Sequence, residues 1–420
     1  MKRKILFIIT LVVIGALTLL CVLRWKVWFH NKPEPSYTVY SKIAHIQLSF
    51  GEDFSERYVT WQSVPLTDSA NTIYQYGVIW MPVNQYFTTS VNASASVPSV
   101  VDSEFQSDTA SLDNSFFVPA KYQYIKTQGG EAGYFYAKAP LKPGRWKYSI
   151  VANDTMSQWY ETYVPKNDSL AFLVLADIQD KKYSGTDTLV ESIIAHHNIN
   201  GIFQLGDLIE RPHQYYWDRY FDDFKNISPI IPTLAVLGNH DYVKGINKHP
   251  DARFFYVFPS YLINDSIPEV GNIFIKLPNV SFYLMDTNQP LCRLYKQKQW
   301  LKTLNSENTN TIILMHHPFK SAISWFRNLR MMLCLGNVFD NIDAELILAG
   351  HEHTFDIEEI NDNCTQIITN FSAKNYNDDV QGRYYIILYL NSETIKAEVY
   401  NEKHVLKQIF EFSLKSQMHS

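Results

Sequence analysis

Five strand-like stretches of this sequence each run directly into residues that can bind a metal ion or transfer a proton. Each stretch is short and apolar, as a buried strand would be, and each ends abruptly in polar side chains. In chain order, the polar residues are Asp177 and Gln179, Asp207 and Glu210, Asn239 and His240, His316 and His317, and His351 and His353. Carboxylate, amide and imidazole groups are common metal ligands. The pattern therefore predicts a metal site.

The elements that must position these residues are the strands of an open α/β sheet. The intervals from Asp177 to Asp207 and from Asp207 to Asn239 each have the length of one strand–helix–strand crossover. Ligands bind outside the carboxyl ends of the strands in such sheets, so we expect the polar residues to meet at one edge. After His353 the chain returns to β patterns. The region from residue 170 onward is interpreted as a two-sheet α/β sandwich.

The order of the motifs resembles that of the calcineurin-like metallophosphoesterase superfamily. The motifs are Asp-x-Gln at 177–179, Gly-Asp-x-x-Glu at 206–210, Gly-Asn-His-Asp at 238–241, His-His-Pro at 316–318 and Gly-His-x-His at 350–353. The resemblance covers about residues 170–415. It implies a two-sheet α/β fold, a pair of metal ions and the hydrolysis of phosphate esters.

The resemblance also implies which residues hold the metal ions. Asp207 can bridge both ions with its two carboxylate oxygens. The other implied ligands are Asp177, Gln179 and His353 for the first site and Asn239, His316 and His351 for the second. The set contains no thiolate, so Mn²⁺, Fe²⁺ or Zn²⁺ suits it better than copper(I) or an iron–sulfur cluster. Two such ions, about 3.5–4 Å apart, would turn a bound water into hydroxide, which attacks phosphorus in line with the leaving oxygen.

Two further histidines belong to the same motifs. His240 is not among the family's metal ligands, and it is the expected proton donor to the leaving group, since imidazole titrates near ~6.5. His317 either hydrogen-bonds a ligand or is a further ligand, and the first role is favoured.

Two positions depart from the family pattern. The first motif usually ends in His, or in Gly in purple acid phosphatases, whereas this sequence has Gln179. Asp-x-Gln resembles the manganese-dependent ADP-ribose/CDP-alcohol diphosphatase branch. Glu210 occupies the position of the iron-binding tyrosine of purple acid phosphatases, and it is either a further ligand or an acceptor that hydrogen-bonds a ligand. A stable Fe(III)–tyrosinate is not expected with either role.

Other residues near the motifs have two interpretations each. Lys244, Lys248 and Arg253 either bind a substrate phosphate or form an ordinary basic surface. The aromatic residues 215–217 either stack on a nucleobase or pack a helix against the sheet, and packing is favoured. His196 and His197 are interpreted as part of a solvated helix face.

The N-terminus has the composition of a membrane-spanning segment. Three basic residues precede an uncharged, mostly apolar run from Ile5 to Leu23. At ~1.5 Å per residue, a helix of this length nearly spans a ~30 Å hydrocarbon core. Residues 24–28 contain no small-x-small cleavage site, which favours a retained anchor over a cleaved signal sequence. We expect Trp25 and Trp28 at the interface and the catalytic domain outside the cytoplasm, in the periplasm or at the cell surface.

Residues 36–167 have the pattern of an antiparallel β-sandwich, with short aromatic and β-branched runs punctuated by turns. The stretch 141–151, Leu-Lys-Pro-Gly followed by an aromatic strand, is similar to the fibronectin-like N-terminal domain of purple acid phosphatases. This region holds no polar cluster suited to catalysis. The predicted domains are an anchor or signal sequence with a linker at 1–35, the sandwich at 36–167 and a metallophosphoesterase catalytic domain at 168–420.

The composition sets further limits. The chain has 420 residues, with 27 Tyr, 25 Phe and 9 Trp, which argues against extensive disorder. The net charge is −5 and no dense basic run follows the N-terminus, which argues against nucleic acid as a partner. The four cysteines have neither CxxC spacing nor the density of a disulfide framework.

Three functions remain after these considerations. The leading one is a membrane-anchored phosphohydrolase of a small-molecule phosphate ester or nucleotide. A nucleotide diphosphatase or phosphodiesterase would use the same ligands, because the loops around the metals select the substrate. A non-catalytic membrane-anchored binding protein is less favoured, since every ligand position holds a competent side chain.

Overall fold

The computed structural model describes most of the chain. The residues described are 2–414, except for 30–31, 39, 65–75, 84–114, 153–154, 167–168, 180–184, 246–247, 278, 305–309, 337 and 373–381. Along these residues an N-terminal helix, an all-β region and an α/β region follow one another. This succession confirms the fold class predicted from the sequence.

The N-terminal helix α1 (Lys2–Phe29) contains the predicted apolar run. Its stretch Arg3–Trp25, 23 residues long, is apolar enough to cross a membrane, and none of it is buried inside the described structure. Length and composition suit an anchor and a signal sequence equally well. The helix is therefore confirmed, while its retention stays a prediction.

The all-β region consists of two antiparallel sheets packed face to face. Its strands are β1 (Ala44–Phe50), β2 (Glu56–Gln62), β3 (Tyr76–Pro82), β4 (Phe116–Pro119), β5 (Lys121–Lys126), β6 (Glu131–Pro140), β7 (Gly144–Ala152), β8 (Thr155–Met156) and β9 (Tyr160–Val164). One sheet has the order β1-β2-β6-β5, and the other has β4-β3-β7-β8 with β9 paired to β7. The core between them is aromatic, with Trp61 stacked on Phe135 at a centroid distance of 5.3 Å.

The α/β region alternates strands and helices before it ends in strands. Its first half consists of β10 (Ser169–Leu175), α2 (Thr186–His196), β11 (Gly201–Gln204), α3 (Gln214–Asp223), β12 (Thr233–Ala235), β13 (Tyr242–Val243), β14 (His249–Pro250), α4 (Ala252–Val257) and a 3-10 helix (Pro259–Tyr261). The second half consists of β15 (Ile273–Lys276), β16 (Val280–Met285), α5 (Leu291–Leu304), β17 (Asn310–Met315), α6 (Trp325–Leu335), α7 (Val338–Asn341), β18 (Ala344–Ala349), β19 (Asp356–Asn361), β20 (Cys364–Ile368), β21 (Tyr384–Asn391), β22 (Thr394–Asn401) and β23 (Leu406–Ser413).

Two sheets with parallel centres form the core of the α/β region. Strands β10, β11 and β12 are parallel in the first sheet, and β16, β17, β18 and β20 are parallel in the second. The sheets meet through aromatic rings, with Phe203 4.9 Å and Phe172 5.8 Å from Phe282. The strands are buried on both faces, which explains their continuous apolar runs.

The all-β region shares a sheet with the α/β region. Strand β1 pairs in parallel with β12, at Ser49 and Thr233, and so a ten-stranded sheet runs in the order β23-β22-β21-β10-β11-β12-β1-β2-β6-β5. Tyr134 and Tyr136 of β6 also belong to the core of the α/β region. No local pattern in the sequence predicts this continuity. The predicted boundary at 167–168 lies outside the described residues, and the division into domains stays a prediction.

The linker after α1 is fixed to the α/β region by a buried ion pair. The Glu34 carboxylate accepts hydrogen bonds from Arg253 Nη1 at 2.6 Å and from the Gln214 backbone N at 2.5 Å. Arg253 also pairs with Asp251 at 3.0 Å and is only 1% exposed. Arg253 therefore has a structural role in this fold, and the alternative of phosphate binding is not supported at this position.

Replacing Arg253 by Ala is expected to lower the free energy of unfolding by about 3–5 kcal/mol, because it leaves buried carboxylates without a counter-charge. Lys121→Ala is the matched control, since its pair with Asp265 is exposed and such pairs contribute about 0–1 kcal/mol. Both variants of the full chain are to be unfolded chemically in a mild non-ionic detergent, with tryptophan fluorescence as the signal. Similar small losses for the two variants would contradict a structural role of Arg253.

Candidate metal centre

The polar residues predicted from the sequence lie at the carboxyl ends of strands from both sheets. In the first sheet, Asp177 follows β10, Asp207 follows β11 and Asn239 follows β12. In the second, His316 follows β17 and His351 follows β18. Parallel strands bring their carboxyl ends to the same edge, and so these loops face each other across the two sheets.

Two carboxylates and one imidazole form a buried cluster at this edge. The ligating atoms of Asp177, Asp207 and His316 all lie within 4.8 Å of one another, and the three side chains are buried. His316 Nδ1 lies 2.9 Å from the Leu205 carbonyl oxygen, so its Nε2 is the nitrogen that faces Asp207 Oδ1, at 3.4 Å. Two buried carboxylates this close are stabilised by a positive charge between them or by a proton on one of them.

A second cluster of imidazoles adjoins the first. The ring nitrogens of His316, His317 and His351 also lie within 4.8 Å of one another. His351 Nδ1 is 3.0 Å and Asn239 Oδ1 is 3.2 Å from His316 Nε2. His317 Nδ1 lies 3.0 Å from the hydroxyl oxygen of Thr287, a contact that fixes its ring. The structure therefore brings His317 into the imidazole cluster.

His353 and Gln179 contact the two carboxylates of the first cluster. His353 Nε2 lies 3.5 Å from Asp177 Oδ1, and Gln179 Nε2 donates to Asp207 Oδ2 at 3.3 Å. Gln179 Oε1 is buried and has no hydrogen-bond partner. An orphaned buried acceptor costs about 1–3 kcal/mol. Turning the amide by 180° would direct Oε1 toward Asp207, an arrangement that suits a cation shared by the two residues.

Four of the predicted ligands have strained backbones. The φ angles of Asp177, Asp207, His351 and His353 are 54°, 53°, 74° and 55°, in the left-handed region. Each such residue costs of order 1–3 kcal/mol, and residues of this kind cluster at functional sites. The loops are also tight, because a Cβ at Gly238 would lie 2.0 Å from the Asp207 backbone N. Holding these side chains in position therefore lowers the stability of the fold.

Asp241 holds the two loops of the first sheet together. Its buried carboxylate accepts hydrogen bonds from the backbone N of Gly238 at 2.7 Å, of Asp207 at 2.9 Å and of Leu208 at 3.0 Å. Asp241 is the last residue of the Gly-Asn-His-Asp motif, but the motif alone does not indicate its role. Its position directly after two polar residues in a motif was the only available signal.

His240 contacts Asp207, the candidate bridging ligand, and Glu210. Its backbone N donates to Asp207 Oδ1 at 2.7 Å, and its Nδ1 lies 2.7 Å from the Glu210 carbonyl oxygen. The carbonyl fixes the Nδ1–H tautomer, which leaves proton exchange to Nε2. The Glu210 carboxylate is 4.0 Å from Nδ1. Among the described residues, Glu210 belongs neither to the cluster of Asp177, Asp207 and His316 nor to the imidazole cluster.

The electrostatics of the buried cluster favour a cation. Burial raises the pKa of Asp207, but the charges of His316 and His240 and the hydrogen bonds to these residues together outweigh this effect and hold the pKa below its usual range. Burial lowers the pKa of His316, but the Asp207 carboxylate outweighs it and raises the pKa to about 9. The carboxylates therefore attract a positive charge, either a proton on His316 or a metal ion.

Cationic side chains surround this edge of the sheets. Lys248 Nζ lies 4.7 Å from the ring centroid of Tyr242, and Arg330 Nη2 donates to the Thr287 carbonyl at 3.1 Å. Arg327 pairs with Glu352, between His351 and His353.

The neighbouring aromatic and histidine residues have other roles. Trp217 is buried, and its Nε1 donates to Asp251 at 2.8 Å, as expected of a packing residue. His196 stacks on His404 with a centroid distance of 4.4 Å.

The fold and the donor set define a class of protein. Two facing sheets with Asp, Asn and His at the carboxyl ends of their parallel strands form a metallophosphoesterase fold. The sequence model of the calcineurin-like phosphoesterase family matches residues 170–355. The chain therefore contains a calcineurin-like phosphoesterase domain, and its class is that of the phosphoric ester hydrolases. A dinuclear metal centre is implied by this family.

Solved structures share the fold at low sequence identity. The purple acid phosphatase PPD1 from yellow lupin (Lupinus luteus) seeds has a TM-score of 0.64 and 12% identity, covering 90% of this chain and 75% of that chain. PhoD has a TM-score of 0.53 and 12% identity, covering 92% of this chain and 94% of that chain. Among curated proteins, no sequence matches significantly. These likenesses concern the fold alone.

Proposed function

We propose that the protein hydrolyses phosphate esters with two divalent metal ions while α1 holds it at a membrane. The observation that carries the proposal is the buried cluster of Asp177, Asp207 and His316, whose ligating atoms lie within 4.8 Å of one another. This cluster lies in a domain of a family of phosphoesterases.

The contacts support a division of the ligands into two sets. In one set of contacts, His353 is near Asp177 and Gln179 is near Asp207. In the other set, Asn239 and His351 both lie near His316 Nε2. The proposed ligands are Asp177, Gln179 and His353 for the first ion, Asn239, His316 and His351 for the second, and Asp207 for both. The described contacts of Asp207 reach both sets, which supports its role as the bridge.

The metal ions proposed are Mn²⁺, Fe²⁺ or Zn²⁺, because the set combines carboxylate, amide and imidazole groups without a thiolate. When bound, two such ions polarise the phosphoryl group and activate a water molecule as the nucleophile. Asn239 and Gln179 contribute neutral oxygens and the imidazoles bind a metal ion in their neutral form, so the two carboxylates set the charge of the ligand set.

His240 delivers the proton that the departing oxygen needs. The Glu210 carbonyl holds its Nδ1 proton, and the ring is partly exposed, with 20% of the side chain accessible, so that Nε2 can reach a substrate. We therefore assign Glu210 to the orientation of His240 rather than to a metal ion.

A substrate screen tests this function. The full chain in a mild detergent is to be assayed on phosphate monoesters, phosphodiesters and nucleoside diphosphates, with added Mn²⁺ and with a chelator. We expect hydrolysis of at least one class that requires the metal. Gln179 supports a second candidate, a nucleotide diphosphatase, which the same screen would identify by its products. No metal-dependent hydrolysis of any class would contradict the proposal and favour a non-catalytic binding protein.

The anchor has its own test. Because α1 is apolar over a spanning length and residues 24–28 lack a cleavage site, the full-length protein should stay with membranes during carbonate extraction. N-terminal sequencing of the mature protein is the accompanying measurement. A mature chain that begins downstream of Leu23 would show that α1 is a signal sequence.

A further inference from the structure

Helix α6 and the residue before its N-cap present apolar side chains to solvent. Ile323 is 62%, Trp325 67%, Phe326 78% and Leu333 68% exposed, and the rings of Trp325 and Phe326 contact each other at 4.9 Å. The opposite face of the helix is buried and is also apolar, with Met331, Cys334 and Leu335. A surface helix normally carries polar residues on its outer face. An exposed apolar face of this kind marks a contact with another apolar medium.

This apolar face, formed by Ile323, Trp325, Phe326 and Leu333, borders the metal centre. Arg327, in the first turn of α6, pairs with Glu352 between two of the proposed ligands. Arg330, one turn further on, donates to the carbonyl of Thr287, whose hydroxyl contacts His317. A single residue therefore lies between α6 and the imidazole cluster at each of two points, namely Glu352 at the first and Thr287 at the second.

The segment that joins α1 to the rest of the chain reaches the folded region close to the same edge of the sheets. From Phe29, the end of α1, to the buried Glu34 is five residue steps, which span at most about 18 Å. Glu34 pairs with Arg253, and Arg253 pairs with Asp251. The Asp251 backbone N in turn donates to the Asp241 carbonyl, in the loop that holds Asp207. A chain anchored by α1 thus keeps this loop near the bilayer surface.

Charge complements the apolar face. Lys320, which precedes α6, is exposed but pairs with Glu358 at 2.7 Å. Lys248, whose Nζ lies over the Tyr242 ring at the rim of the metal centre, adds a cation to this side of the molecule. Anionic phospholipid head groups attract basic residues close to a membrane, and tryptophan is enriched at the membrane–water interface. Aromatic, aliphatic and basic side chains together fit a lipid bilayer.

We propose that the apolar face of α6 docks on the lipid bilayer and that the metal centre acts on phosphate esters whose apolar part stays in the membrane. This inference rests on the proposed phosphohydrolase function and on the retention of α1. The substrate class is a phosphate ester of a lipid alcohol. Its phosphate reaches the rim near Lys248 and Arg330, while its chains remain among the lipids beside Trp325 and Phe326.

Docking can be tested without any catalytic assay. The full-length protein is reconstituted in vesicles of phosphatidylcholine and phosphatidylglycerol with brominated acyl chains, which quench tryptophan fluorescence on contact. In the wild type, we expect the brominated chains to quench Trp325. The fluorescence lost to quenching should therefore be smaller in Trp325→Phe than in the wild type by the contribution of one tryptophan. Trp159→Phe, in the all-β region, is the matched control and should leave the quenched signal unchanged. Equal quenching in the wild type and in Trp325→Phe would overturn the docking.

The substrate class needs a second measurement. Wild type and the double variant Trp325→Ser/Phe326→Ser are compared on dioleoyl phosphatidic acid in vesicles and on soluble dibutanoyl phosphatidic acid. We expect kcat/KM of the variant to fall about tenfold or more on the vesicle substrate and by less than about twofold on the soluble one. Leu406→Ser/Ile409→Ser is the matched control, since these residues of β23 are 43% and 47% exposed, and it should leave both values unchanged.

The outcomes separate this inference from the function on which it rests. Equal losses on the two substrates would mean that the apolar face stabilises the fold, and the inference would be overturned. A change of oligomeric state in the double variant, detected by light scattering, would show that a second copy of the chain covers the face. Hydrolysis of only the soluble ester by the wild type would overturn the lipid substrate but leave the phosphohydrolase intact. Absence of all metal-dependent hydrolysis would instead reject the proposed function, and the quenching result would still decide the docking.

Discussion

Replacement of Asp207 by Ala is expected to remove most of the bound metal and to lower phosphate-ester hydrolysis by at least ~10⁴-fold, or more than about 5 kcal/mol of barrier. Asp207 is buried and lies within reach of Gln179, His316 and the backbone of His240. Its loss takes one ligand from each proposed site. It also leaves Asp177 as the remaining carboxylate of the cluster, which weakens the attraction for divalent ions.

The matched control for Asp207→Ala is the same substitution at an aspartate that shares the backbone conformation of Asp207 but lies outside the metal centre. Asp343 has a φ of 52°, close to the 53° of Asp207, but it is exposed and lies before β18, away from the clusters. Asp343→Ala should therefore keep both the metal content and kcat/KM. Asp207→Asn serves as a second variant, because it retains Oδ1 as the acceptor for the His240 backbone N. Normal metal content and activity in both Asp207 variants would refute the assignment of this residue as the bridge.

The second large effect is expected for His240→Ala, and its size should depend on the leaving group. An alkoxide has a high pKa and gains much from protonation as it departs, whereas a nitrophenolate gains little. General acid catalysis contributes ~10²–10⁴-fold, or about 3–5 kcal/mol of barrier. The variant should approach this loss on alkyl phosphate esters and lose much less on a nitrophenyl ester. Metal content should stay close to that of the wild type, because the contact to Asp207 uses the backbone N.

The measurement is kcat/KM on the two ester classes, with metal analysis of the same preparations. His249→Ala is the matched control, since His249 lies on β14 and is exposed, and its ring contacts a backbone carbonyl. Equal losses on the two classes with normal metal content would mean that His240 positions the phosphate. Equal losses with a metal missing would make His240 a ligand.

The fold and the location of the site follow from local sequence patterns. Short apolar runs predict buried strands, and the residues directly after them must lie at the carboxyl edge of a parallel sheet. For this reason the sequence alone is enough to predict that Asp177, Asp207 and His316 meet. The contacts confirm the sheet edge, while the roles of the individual ligands stay proposals.

Other features depend on contacts between distant segments, which no local pattern encodes. The left-handed backbone of His351 is imposed by a tight turn against Asp177, whose carboxylate accepts the His351 backbone N–H at 2.7 Å. The pairing of β1 with β12 joins residues far apart in the chain. Likewise, Arg253 follows Lys244 and Lys248 within ten positions and resembles part of a basic surface in the sequence. Only the fold brings Glu34 to it.

The most direct test of the account is a titration of the chelated full-length protein with Mn²⁺, followed by calorimetry and by hydrolysis of the best substrate from the screen. Two-metal catalysis predicts two bound ions per chain, with activity that appears as the second ion binds. Gln179→Ala should weaken mainly one of the two binding steps. Saturation by a single ion, or activity that persists in the chelator, would contradict a dinuclear centre.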